Sequence, residues 1–114
     1  MAEIWIVEDD PAIGTLIEMT VKKAGHVTRR MPDAERLETV LRYADKKPDL
    51  LLLDLMLCRK NGYTVLEEWK ADPATRFIPA ELTRQGRTRP GSAVKTAMKL
   101  PAPADGDAGR FHFF

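Results

Sequence analysis

Two groups of acidic residues stand where apolar runs end. Glu8, Asp9 and Asp10 follow Ile4-Trp5-Ile6-Val7, and Asp54 follows Leu50-Leu51-Leu52-Leu53. Carboxylates held close together repel, which raises their pKa values unless a cation neutralises them. Magnesium suits such a group: it is hard, takes oxygen ligands, and binds through one or two carboxylates with water or phosphate filling the rest. Beside such an ion an aspartate can act as a nucleophile toward phosphorus and form an acyl phosphate. That reaction asks mainly for alignment and for neutralisation of charge on the transferring group. In this chemistry Asp54 is the nucleophile, Asp9 and Asp54 hold the metal, Glu8 assists through water, and the Met56 carbonyl completes the shell. The plainer reading of an acid after a strand is a turn or a helix cap, and Asp10-Pro11 is a good helix start in any case. Asp9 and Asp54 lie 45 positions apart, so the chemistry depends on a fold that brings them together.

The intervening pattern supplies one. Ile4 to Val7 is a short apolar run with β-branched residues that stops at charge, which reads as a buried strand. Ile13, Leu16, Ile17, Val21 and Ala24 recur at helical spacing after Asp10-Pro11, with Lys22 and Lys23 near the end and Gly25 as the stop. His26 to Met31 is a polar strand candidate suited to a sheet edge. Pro32-Asp33 opens a second helical pattern through Ala34, Leu37, Val40, Leu41 and Ala44. The leucine run 50–53 sits between Pro48 and Asp54, too short for a helix, and reads as a central strand. Asn61-Gly62 signals a turn, Val65, Leu66 and Trp69 a third helix ended by Asp72-Pro73, and Ile78-Pro79 an approach to a fourth strand. Strand–helix alternation of this kind predicts an α/β fold, a doubly wound parallel sheet with helices on both faces. If the strand order reverses after the first strand, strands one and three are neighbours. Both acidic groups then meet at the carboxyl edge, where such sheets bind ligands.

The totals set bounds. A chain of 114 residues suits one small domain. Its single cysteine, Cys58, permits no internal disulfide and fits a reducing compartment. The apolar start is too short for a signal-peptide core, and the longest apolar run is far below spanning length. The expectation is a cytoplasmic protein with no membrane association. Charge is uneven along the chain. Residues 1–79 carry 12 Lys/Arg and 14 Asp/Glu, whereas residues 80–114 carry 6 and 3, together with four of the seven glycines.

The strings IWIVEDDP and PDLLLLDLMLCRKNGYTVLEEWKADPATRFIP resemble the receiver domain of bacterial two-component response regulators. The resemblance covers about residues 3–79. It implies a flavodoxin-like receiver fold, with Glu8 and Asp9 as the acidic pair, Asp54 as the phosphorylated aspartate and Met56 as the backbone metal ligand. It also implies Mg2+ as cofactor, a histidine kinase or phosphotransfer protein as phosphoryl donor, and a phosphorylation-triggered shift beyond the fourth strand. Residues 80–114 depart from the pattern, and the fold is expected to be incomplete or divergent after the fourth strand. The family places proline where Cys58 stands; Cys58 reads as a small loop residue. Glu81 is a poor choice for a buried strand. Thr83 is the candidate phosphate-contacting hydroxyl, after a slip of one position. Lys99, followed by Leu100-Pro101, is the candidate lysine, although it comes several residues early. Ser92 to Lys99 suits two turns of helix, residues 101–109 have linker-like composition, and Phe111, Phe113 and Phe114 would tuck into a groove or stand exposed. The abrupt change leads to two expectations for residues 80–114: a coding-frame shift near codon 79, or a divergent, partly disordered tail.

The functional expectation is a phosphoacceptor switch at Asp54, a response regulator in a phosphorelay, not an enzyme with a released product. One alternative is a degenerate receiver that binds proteins without being switched. Another is a Mg-dependent phosphohydrolase with an aspartate nucleophile, disfavoured because Leu55-Met56 supplies no second carboxylate. With no helix-turn-helix in the chain, output is expected through another protein and not through direct nucleic-acid binding.

Overall fold

A computed structural model describes residues 2–54, 57, 60–83 and 111–113. Strand β1 (Glu3–Val7) leads into helix α1 (Pro11–Lys23), β2 (Val27–Met31), α2 (Ala34–Tyr43), β3 (Leu50–Asp54), α3 (Gly62–Ala71), β4 (Ala80–Thr83) and β5 (Phe111–Phe113). The local causes are those the residue types suggest. Asp10 caps α1, its side chain accepting from the backbone N–H groups of Ala12 and Ile13. Asp33 caps α2 through Arg36 N–H, and Asn61 caps α3 through Tyr63 N–H. Gly25 ends the α1 turn at φ 92°, a left-handed conformation that glycine adopts without a Cβ penalty.

The sheet is parallel, with order β2-β1-β3-β4-β5. The order reverses after β1, so β1 and β3 pair directly, Ile4 opposite Leu50 and Val7 opposite Leu53. Alternation along the strands divides the core between the two faces. Ile4, Ile6, Leu50 and Leu52 pack with Ile17 and Val21 of α1. Trp5, Val7, Leu51, Leu53 and Leu82 pack with Leu37 of α2 and with Val65, Leu66 and Trp69 of α3. Strand β3 is buried along its whole length, whereas β2 alternates exposed and part-buried residues before ending at buried Met31, as an edge strand should. Two polar contacts fasten α3 to the approach to β4. Trp69 Nε1–H donates to the Ile78 carbonyl at 3.0 Å, and the Thr75 hydroxyl donates to the Trp69 carbonyl at 2.7 Å.

Two features differ from the residue pattern. Glu81, an unpromising strand residue, is fully buried in β4. Its place between β3 and β5 sets that burial: its Cα pairs with Leu52 on one side and His112 on the other, and the residue is not without an interaction partner. Strand β5 is the other difference, a short element paired with β4 that no apolar run announces. The helix expected at 92–99 and the linker-like stretch 101–109 lie outside the described residues. None of the helices described is long and apolar enough to cross a membrane.

Candidate functional site

The site is built by the carboxyl ends of three adjacent strands. Val7 and Leu53 are register partners, so Glu8 leaves β1 beside Asp54, the last residue of β3. The Glu8 backbone N–H is held by the Met31 carbonyl of β2 at 3.1 Å, which fixes the chain as it emerges from the sheet. Asp54 in turn pairs in register with Thr83, the last residue of β4. Carboxylate oxygens of Glu8, Asp9 and Asp54 all lie within 4.8 Å of one another. Glu8 and Asp54 are buried and Asp9 is exposed, so the cluster has a closed floor and an open mouth.

The electrostatics follow from that packing. The Glu8 carboxyl is pushed up from 4.5 to about 9. Burial is the main cause, followed by a hydrogen bond with Asp54 and then by the negative charges of Asp54, Asp9 and Asp10. Without a cation, Glu8 therefore keeps its proton at neutral pH. Its Oε2 is buried and has no hydrogen-bond partner among the described residues. Three crowded carboxylates with an unsatisfied buried oxygen form an all-oxygen donor set, and such a set fits a hard divalent cation.

The three consecutive acids divide their work. Asp10 stands outside the cluster and caps α1, with Oδ1 at 2.9 Å from Ala12 N and 3.3 Å from Ile13 N. Glu8 and Asp9 face Asp54. Thr83 is buried and pairs in register with Asp54. Met56, Cys58 and Lys99 lie outside the described residues.

Lys60, six residues after Asp54, carries no signal in the sequence alone. Lys60 Nζ is 2.6 Å from Glu68 of α3 and 3.6 Å from Glu38 of α2. The hydrogen bond to Glu68 leads the causes that hold the Lys60 ammonium above its usual range. A lysine before an Asn-Gly turn reads as solvated, and only the tertiary fold brings its two partners together.

The family model for the response regulator receiver domain matches residues 4–85. Among curated proteins, the chain is similar to the DNA-binding dual master transcriptional regulator RpaA of Synechocystis, 34% identical over 79 residues, which cover 69% of this chain and 32% of that protein. It is also similar to the DNA-binding response regulator MtrA of Mycolicibacterium smegmatis, 35% identical over 75 residues, 66% of this chain and 32% of that protein. The chain thus matches about a third of the length of these relatives, and the DNA binding in both names is that of the whole proteins. Among solved structures, the N-terminal domain of a response regulator receiver protein from Methanoculleus marisnigri JR1 shares the fold. Its TM-score is 0.71 at 24% identity, covering 100% of this chain and 83% of that one. The BeF3-activated N-terminal receiver domain of Klebsiella pneumoniae RstA gives a TM-score of 0.63 at 28% identity, with 97% and 84% covered.

Proposed function

The chain belongs to the response regulator receiver domain family, and from that premise we propose that Asp54 is its phosphoryl acceptor, working with Mg2+ held by Glu8, Asp9 and Asp54. The observation that carries this reading is the meeting of the three carboxylates within 4.8 Å at the carboxyl edge of the sheet. The donor is a phosphohistidine on a histidine kinase or phosphotransfer protein. An Asp54 carboxylate oxygen attacks phosphorus, a P–O bond forms as the P–N bond breaks, and the departing imidazole nitrogen takes a proton from solvent. A cation held by Glu8, Asp9 and Asp54 would neutralise charge on the transferring group. Glu8 and Asp9 orient that charge from the β1 side. On the β4 side the Thr83 hydroxyl, in register with Asp54, donates a hydrogen bond to a phosphoryl oxygen. By the family resemblance the Met56 carbonyl would be a further backbone oxygen for that cation. As a receiver the chain is a regulatory switch and not a classical enzyme. Its output passes to a downstream protein in the cytoplasm.

Beryllofluoride, which imitates a phosphoryl group on a carboxylate, tests the acceptor directly. Fluorine NMR of the full chain is expected to show bound fluoride signals that need both Mg2+ and Asp54, vanish in Asp54→Asn, and weaken about tenfold in Thr83→Ala, the loss of one hydrogen bond to a charged group. Signals that persist in Asp54→Asn would remove Asp54 from the role.

A further inference from the structure

A groove between α2 and α3, on the sheet face opposite α1, lies outside the acceptor site and has no part in its chemistry. Its floor is apolar, made by Leu37 and Leu41 of α2 and by Val65 and Trp69 of α3. Its rim is acidic, with Glu38, Glu68 and Asp72 around the same opening. The Glu38 and Glu68 side chains are 60% and 56% exposed, so both carboxylates face solvent. The cavity of about 190 Å³ is smaller than the roughly 300–1,000 Å³ of small-molecule pockets. It suits one apolar side chain, the anchor by which an amphipathic helix docks in a groove. A cation already tests the rim: Lys60 spans it from the acceptor loop, 2.6 Å from Glu68 and 3.6 Å from Glu38. Among the described residues, Lys60 meets these carboxylates and Lys47 Nζ donates to the Leu41 carbonyl at 3.0 Å, so two ammonium groups stand against three carboxylates and the rim stays negative.

We propose that the α2–α3 groove binds a basic amphipathic helix of a partner protein, an apolar anchor seated on Leu41 and Trp69 and flanking Lys or Arg residues paired with Glu38, Glu68 and Asp72. Charge complementarity selects this occupant over an acidic or uncharged one. The partner's cations compete with Lys60 for the two glutamates. Because Lys60 lies six residues after Asp54, docking releases a tether on the acceptor loop. The surface stands on the groove alone and does not depend on Asp54 being phosphorylated.

The test uses the full chain and two labelled helical peptides of about 16 residues, with Leu and Phe at i, i+3, i+4 and i+7. One carries Lys and Arg at the remaining positions and the other Glu. Fluorescence anisotropy is expected to show binding of the basic probe and not of the acidic one, weakening as salt rises. Glu38→Gln and Glu68→Gln should each weaken it roughly two- to fivefold, the range of exposed charge pairs. Lys60→Gln should tighten it, because the internal competitor is gone. A loosened fold would expose apolar surface and raise binding of both probes, whereas loss of the internal competitor raises that of the basic probe alone, so this variant keeps the test sound if the glutamate variants lose stability. Equal binding of the two probes, no binding of the basic one, or no response to Lys60→Gln overturns the proposal. Tighter probe binding by Arg87→Gln/Arg89→Gln would assign the groove to the chain's own basic tail and overturn it equally.

Discussion

Glu8→Gln should make the metal-free protein more stable at neutral pH, although it alters the centre of the carboxylate cluster. The Glu8 carboxyl sits at about 9 in the folded chain against 4.5 ordinarily. Between those values the folded state holds a proton that the unfolded state has lost. The number of protons bound is then larger in the native state, so stability falls as pH rises, by about 1.4 kcal/mol per pH unit. The contribution is fully present below pH 4.5 and is lost as pH climbs toward 9. At pH 7 the accumulated loss is about 3 kcal/mol. A glutamine side chain at this position has no proton to take up, keeps a donor toward Asp54 and escapes that loss. Urea unfolding in a chelator should show wild type and Glu8→Gln nearly equal near pH 4.5, with the variant ahead by about 3 kcal/mol at pH 7. Mg2+ should close most of that gap. The cation displaces the Glu8 proton and stabilises wild type by RT ln(1 + [Mg2+]/Kd), about 2.7 kcal/mol at a hundredfold excess over Kd, whereas the variant gains less. Parallel stability curves for the two proteins across this pH range, or equal gains from Mg2+, would refute the reasoning.

Three further outcomes follow from the same contacts. Asp10→Ala should cost about 1 kcal/mol in thermal or urea unfolding by uncapping α1, whereas Asp10→Ser should cost little, and neither should abolish acceptance at Asp54. Thr75→Val removes a buried hydroxyl that donates to the Trp69 carbonyl at 2.7 Å and should lower stability by about 1 kcal/mol in urea unfolding. A Cβ at Gly14 would meet the Arg30 guanidinium at 3.0 Å, the movable end of a long side chain. Gly14→Ala should therefore be neutral or stabilising by up to about 1 kcal/mol in thermal unfolding, from helix propensity, with the Arg30 bond to the Thr15 hydroxyl loosened.

The order of elements as far as β4 is legible in the residues because each has a local signal. Asp10-Pro11, Asp33 and Asn61-Gly62 mark helix starts, and the four leucines before Asp54 mark the central strand. The meeting of Glu8 and Asp9 with Asp54 is legible once the order is known, because the reversal after β1 makes β1 and β3 neighbours. Signals weaken where the cause is tertiary. Leu16 keeps helical spacing yet is 53% exposed, because α1 packs through Ile17 and Val21 and Leu16 lies to the side of that line. Glu81 reads as a breaker, but pairing on both sides of β4 overrides its composition. Strand β5 is three residues long and owes its place to pairing with β4, 28 positions or more away. The Lys60 bridge joins a loop to two helices and leaves no periodic trace. Whether residues 80–114 reflect a shifted frame is a proposal that translation of the other frames past codon 79 tests: a restored apolar strand and Lys-Pro would support it, and their absence would end it.

Asp54 is proposed to accept a phosphoryl group with the help of the surrounding carboxylates. Intact mass spectrometry of the full chain after incubation with Mg2+ and a small phosphoryl donor measures this most directly. The expected result is a single phosphoryl adduct that disappears in Asp54→Asn and when the metal is chelated. An adduct that survives in Asp54→Asn, or a wild-type chain that binds Mg2+ yet takes up no phosphoryl group, would contradict it.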